Sequence, residues 1–154
     1  MGAASAHRRR MRFIGMTILA VWLGLATALA QEPGLKISKP AMRKDVIAVI
    51  EGQLTAFRAE EVTKAYGFAS RGLRQQAPLP VFSQMVRFGY PEIWANTRAE
   101  YGLVRDDGAR ATTTARVFAK DGTSATYDYV LVRENNEVWR IAGVLRHEPR
   151  GEKT

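Results

Sequence analysis

The sequence predicts an α+β domain in which N-terminal helices pack on a curved, four-stranded antiparallel meander. Three observations carry that expectation. Apolar residues recur at spacings of three and four between Ala41 and Gly89, the period falls to two beyond residue 98, and Asp-Gly and Asn-Asn pairs punctuate that second half. A helical stripe and a half-buried sheet face each need cover, and one helical layer on one face of the sheet supplies it for both.

Residues 31–40 (QEPGLKISKP) hold two prolines and a glycine without periodicity and read as a linker; the domain proper is expected over 41–146. Met42, Val46, Ile47, Ile50, Leu54 and Phe57 share one stripe, with Arg43, Lys44, Glu51 and Arg58 mostly outside it, which predicts an amphipathic first helix. After Glu60-Glu61 the stripe resumes in a new phase with Val62, Ala65, Tyr66 and Ala69. This predicts a second helix ending near Ser70-Arg71-Gly72, with the glycine as its C-terminal cap. Pro80 at a helix start, the set Val81, Phe82, Met85 and Val86, and Gly89 at the end predict a third, stopped by Tyr90-Pro91. Strands are expected over 98–104, 110–119, 123–133 and 137–145, which are rich in Thr, Val, Tyr and Ile. The gaps hold Asp106-Asp107-Gly108, Asp121-Gly122 and Asn135-Asn136, residues that tolerate the positive φ of tight hairpins. The tail, 147–154, has no apolar periodicity and reads as flexible.

Charge and length change meaning once the N-terminus is set apart. The chain has 154 residues, no cysteine, and 23 Lys plus Arg against 15 Asp plus Glu, a formal +8. Residues 1–30 carry Arg8, Arg9, Arg10 and Arg12 and no acid, so residues 31–154 hold 19 basic and 15 acidic residues, a net +4. The arginine cluster precedes an uncharged run, Phe13 to Ala30, that ends in Ala28-Leu29-Ala30 before Gln31. A positive region, an apolar region and a small-x-small site make a secretory signal peptide with cleavage between Ala30 and Gln31. The alternative is an uncleaved anchor, since the run of 18 residues is near the lower limit for spanning a bilayer. The expected location is periplasmic or secreted, or the inner membrane surface if the anchor is retained. A lipid anchor at the cleavage site would need a cysteine, and there is none.

A bent meander wrapped around a long helix leaves a cone whose open end can hold a ligand. The stretches IEGQLTAFRAEEVTKAYGFAS (50–70), FSQMVRFGYPEIW (82–94) and YDYVLVRENNEVWRIAGVL (127–145) resemble the bacterial domain-of-unknown-function family 4864. Tyr129-x-Leu131 followed by Trp139-x-Ile141-x-Gly143 is the most specific part of the likeness. The resemblance implies an NTF2-like, cystatin-like cone and lends no activity.

Several chemistries lack their residues. His7 lies in the signal segment, which leaves His147 in the tail as the mature chain's histidine, so thiol or serine dyads, zinc sites and a histidine base are without their essential groups. Gly102, Gly108, Gly122 and Gly143 are scattered and form no phosphate loop. Asp106-Asp107 beside Gly108 reads as a hairpin turn and not as an oxygen-ligand metal site, and no cofactor is expected. A net +4 without a basic run or reader motif gives no reason to expect nucleic acid.

Candidate residues remain. Tyr90, Trp94 and Tyr101 flank the passage from the third helix into the first strand and are candidates to line a ligand pocket, with Arg98 as a nearby anion contact. The other arginines considered for such a contact, Arg71, Arg74, Arg87, Arg116 and Arg140, read as solvated stems unless they converge. The aromatics Tyr66, Phe68, Phe82, Phe88, Tyr127, Tyr129 and Trp139 read as core. Asp128, the carboxylate inside YDYVLV, is the candidate catalytic base, with Tyr90 or Tyr127 as its partner. Register decides its face: a two-residue turn at Asn135-Asn136 sets Val132 against Trp139 and places Asp128 with them, whereas a bulge or three-residue loop puts it on the opposite face from Trp139 and Ile141. The functional expectation is an exported, non-enzymatic domain that binds a small ligand or an envelope partner. The alternatives are an isomerase- or hydratase-like enzyme and a structural homodimer.

Overall fold

The computed structural model describes residues 34–135 and 137–147. The expected signal segment, with its cleavage site at Ala28, Ala30 and Gln31, lies outside the described residues, as does the tail beyond His147. Residues 31–154 form a compact unit of their own.

Helix α1 (Pro40–Arg58) starts on Pro40, whose fixed φ and missing N–H suit the first helical position. It buries Val46, Ile50, Leu54 and Phe57 of the expected stripe and adds Gln53 and Ala56, while Met42 and Ile47 are only partly buried. Full burial of Ile50 or Leu54 contributes about 2 kcal/mol each. The helix ends in a Schellman turn: Glu60 N–H donates to the Phe57 carbonyl and Glu61 N–H to that of Ala56, with Glu60 at φ 59° where glycine is usual.

The second helix is shorter than expected. Helix α2 (Val62–Gly67) gives way because Phe68 to Ser70 turn to pair with the sheet: Ile141 N–H donates to the Phe68 carbonyl and Ser70 N–H to that of Ile141. Ser70 then caps a new helix, α3 (Arg71–Gln76), its Oγ accepting from Leu73 N–H. Gly72 is therefore inside a helix start and caps nothing. Helix α4 (Leu79–Gly89) matches its expectation, with Pro80 in the first turn, and a single turn, α5 (Pro91–Trp94), follows.

Among the described residues six strands make one antiparallel sheet, two more than the meander expected from the sequence. The first expected strand is split into β2 (Asn96–Tyr101) and β3 (Arg105–Asp106), which both pair with β4 (Arg110–Ala119). The break falls at Gly102, where a Cβ would stand 2.4 Å from Thr114 Oγ1, too close for any other residue without displacement. Lys36–Ile37, inside the segment read as a linker, forms β1 against β3. Strands β5 (Ser124–Arg133) and β6 (Trp139–Arg146) complete the order β1-β3-β4-β5-β6.

The β5–β6 turn settles the register. Glu134 N–H donates to the Val138 carbonyl, so three residues separate this pair, and Glu137 stands at φ 60°. Leu131 then opposes Ile141 and Arg133 opposes Trp139, with a bulge between Val130 and Leu131. Ala111, Thr113, Ala115, Val117, Tyr127, Tyr129, Leu131, Trp139 and Ile141 are buried. All but Thr113 join one core with Val46, Ile50, Leu54 and Phe57 of α1, Phe82 and Val86 of α4, and Ile93 of α5. Thr112, Thr114, Arg116, Thr126 and Asp128 alternate onto the other face.

Candidate tyrosine and carboxylate site

Alternation along β5 turns Tyr127 and Tyr129 to the helical side, and pairing builds a polar row beside them. Tyr101 of β2 opposes Ala115 of β4, Ala115 opposes Tyr127, and Tyr127 opposes Arg146 of β6, so four strands contribute one residue each to the same face. Opposed pairs share a face, and rows are about 4.8 Å apart between strands, which sets Tyr101 about 10 Å from Tyr127.

Each end of the row is tied to a helix carboxylate. Tyr127 Oη donates to Glu92 Oε2 at 2.6 Å, and Arg146 Nη2 donates to Glu92 Oε1 at 2.9 Å. The Glu92 side chain on α5 is only 7% exposed, so its charge is held by these two partners. At the other end Tyr101 Oη donates to Glu51 Oε1 at 2.6 Å, and Arg58 Nη2 reaches Glu51 Oε2 at 3.2 Å. Arg58 is itself fixed by Thr55 Oγ1 at 2.7 Å and the Thr97 carbonyl at 3.0 Å. Tyr90 packs its ring 5.8 Å from that of Tyr127 and donates to the Val144 carbonyl. The cluster reaches solvent at Glu51 and Arg146, which are partly exposed.

One phenol has no such tie. Tyr129 is fully buried, and its hydroxyl has no hydrogen-bond partner among the described residues. Burial, then the charges of Glu51 and Tyr90, pushes its pKa up. Burial and the hydrogen bond to Glu51 raise Tyr101, burial and the hydrogen bond to Glu92 raise Tyr127, and burial raises Tyr90. All four phenols are thus kept neutral in ordinary buffers. They can donate hydrogen bonds but cannot serve as bases.

The family model for Domain of unknown function (DUF4864) matches residues 39–154. The chain belongs to this family. No curated protein and no solved structure matches it.

The DUF4864 domain brings together only part of the candidate set. Tyr90 and Tyr101 join the cluster, but Trp94 does not: its ring lies 5.7 Å from Phe57 with the Arg87 guanidinium 6.0 Å above it, among helices. Arg98 is exposed, stacked 3.7 Å over the Phe118 ring and paired with Glu100 at 2.5 Å. Arg116 also lies over Phe118 and meets Ser124, and the arginines that reach the tyrosine cluster are Arg58 and Arg146. Asp128 is on the opposite face from Tyr127. It opposes Thr114 and Leu145, and its carboxylate contacts the His147 ring. The pairing also corrects the tail reading: His147 N–H donates to the Thr126 carbonyl, which fastens this residue to the sheet edge. Phe88, expected in the core, is 74% exposed.

Other sites in the DUF4864 domain are modest. Asp107 accepts from Ala109 and Arg110 N–H groups, which hold its pKa below the usual range, as expected of a turn residue. An open depression of about 510 Å³ beside it has Lys36 and Lys39 against Asp106 and Asp107, charges that offset one another. No group of metal-ligating side chains occurs among the described residues. Glu51, Arg58, Glu92 and Arg146 are residues of the cluster that sequence reasoning missed, and Tyr129 was read only as core. Glu51 and Arg58 stand seven apart on α1, two helical turns on one side, and that spacing was the available signal.

Proposed function

We propose that this is an exported, single-domain binding protein whose tyrosine-lined face takes a small, uncharged ligand. The observation that carries the reading is the Tyr129 hydroxyl, buried and unpartnered beside phenols whose own hydrogen bonds are already made. A buried donor left unpaired costs about 1–3 kcal/mol, which a ligand oxygen would recover. The two carboxylates are neutralised by Arg58 and Arg146, so a charged ligand would find no counter-ion free. An enzyme of the isomerase or hydratase kind would need a carboxylate ready to accept a proton. Glu51 and Glu92 each give both oxygens to a tyrosine and an arginine, and Asp128 faces away, which favours binding over catalysis. The finer fold assignment, an NTF2-like cone closing around this cluster, belongs to the same proposal, and the long α1 set against the sheet supports it. Export rests on the arginine cluster and the apolar run before Gln31.

The test is native mass spectrometry of the protein purified from the cell envelope. A small molecule should leave with the wild type and be lost from Tyr129→Phe, while Arg98→Gln retains it. If the wild type carries none, and no neutral compound in a screen raises its melting temperature, the binding reading fails. N-terminal sequencing of the same sample should begin at Gln31; a start at Met1 would replace cleavage with anchoring.

A further inference from the structure

Residues 62–91 contain no Asp or Glu but carry Lys64, Arg71, Arg74 and Arg87. Removing these four from the 19 basic residues of 31–154 leaves 15, equal to the 15 acids, so the whole net +4 belongs to the segment spanning α2, α3 and α4. The same segment exposes two large apolar side chains, Val81 and Phe88. Helix α4 buries Phe82 and Val86 on one side and shows Val81, Gln84 and Phe88 on the other, at the i, i+3, i+7 spacing of a single stripe. Val81 is 54% and Phe88 74% exposed, and the Arg87 guanidinium lies 5.6 Å from the Phe88 ring.

We propose that this outward stripe of α4 docks on an anionic lipid surface. Phe88 and Val81 enter the boundary between headgroups and acyl chains, while Arg87 meets lipid phosphates. Charge complementarity selects this occupant. Helix α4 carries no Asp or Glu and sets Arg87 beside its exposed Phe88, which suits a negative surface, and guanidinium forks match phosphate oxygens. Two apolar side chains standing on a helix, with no groove between them, suit a fluid surface better than a shaped protein partner. The inference goes beyond the interior ligand and does not depend on it.

Residues 31–154 form their own compact unit and contain the core found among the described residues, so they can be tested without the apolar N-terminal run. The measurement is flotation with vesicles of phosphatidylcholine alone and with phosphatidylglycerol added. The protein should float with the anionic vesicles and not with the neutral ones. Arg87→Gln should lower the partition coefficient about fivefold and Phe88→Ser at least tenfold. Both positions are exposed, so unchanged melting temperatures will show that the variants are folded. Equal binding to both vesicle types, no binding, or wild-type binding by Phe88→Ser would overturn the proposal. A concentration-dependent dimer that Phe88→Ser abolishes, without vesicle binding, would overturn it in favour of a second copy of this chain.

Discussion

Tyr127 and Tyr129 differ by two positions on one strand and share a face, yet their hydroxyls have opposite energetic signs. Tyr127 satisfies a carboxylate that is 7% exposed, and hydrogen bonds to charged groups are worth more than neutral ones. Tyr127→Phe is therefore expected to lower stability by about 2 kcal/mol in urea denaturation. Tyr129 buries a hydroxyl that nothing among the described residues accepts. Tyr129→Phe removes that desolvation without removing a bond, so the ligand-free protein should be equally stable or more stable by about 1 kcal/mol. A loss of 2 kcal/mol on that substitution would mean that the hydroxyl is paired in solution. The same comparison explains why Asp128 does not join the tyrosines: alternation fixes which residues of YDYVLV share a face, but only the turn at Glu134–Val138 fixes which of them oppose Trp139 and Ile141.

Helices α1 and α4 were legible because their stripes are long and their ends carry proline, glycine or a charged turn. The α2–α3 boundary was not. Val62 to Ala69 keeps a helical period, and what breaks it is a pairing with β6, distant in sequence. Ser70 then reads as a helix end from the sequence while acting as a helix start. Ser70→Ala should cost about 1 kcal/mol through the lost cap to Leu73 N–H, measurable as a shift in denaturation midpoint. At the end of α1, Glu60 occupies the left-handed region, so Glu60→Gly is expected to stabilise by about 0.5–1 kcal/mol after the greater entropy of the unfolded glycine is counted. Gly52 makes the contrary case. Inside α1 alanine would be the better helix former by about 1 kcal/mol, but its Cβ would stand 2.5 Å from the Phe68 ring. Overpacking costs about 1–3 kcal/mol, so Gly52→Ala should destabilise in the wild type and become neutral or favourable when Phe68 is leucine. Equal effects in both backgrounds would remove Phe68 as the reason for glycine.

Across the molecule, the layering of helices on one sheet face was readable from two periods in one chain, whereas β1 and the split of β2 from β3 were too short to leave a period at all. The site was less legible still, because it is assembled from single residues of α1, α5, β2, β5 and β6 that only register brings together. That assembly has a consequence at high pH. Tyr90, Tyr101, Tyr127 and Tyr129 all have pKa values raised above 10.0 in the folded state, each chiefly by burial. In the unfolded chain they ionise near 10, so above that pH the folded state binds more protons than the unfolded one and stability falls as pH rises. Below about pH 9 the phenols are protonated in both states and contribute no slope. Urea midpoints should therefore be insensitive to these groups at neutral pH and drop steeply between pH 10 and 11. Tyr129 alone can supply up to about 1.4 kcal/mol per pH unit there, since it is wholly buried. Lysines deprotonate in the same range, and comparison with Tyr129→Phe separates the two: the variant should lose a fraction of the slope above pH 10 and none below it. Phenolate absorbance near 295 nm should rise for these four groups together with unfolding. Identical slopes in wild type and variant, or a phenolate signal before the unfolding transition that the wild type shows and Tyr129→Phe lacks, would show that Tyr129 is open to water.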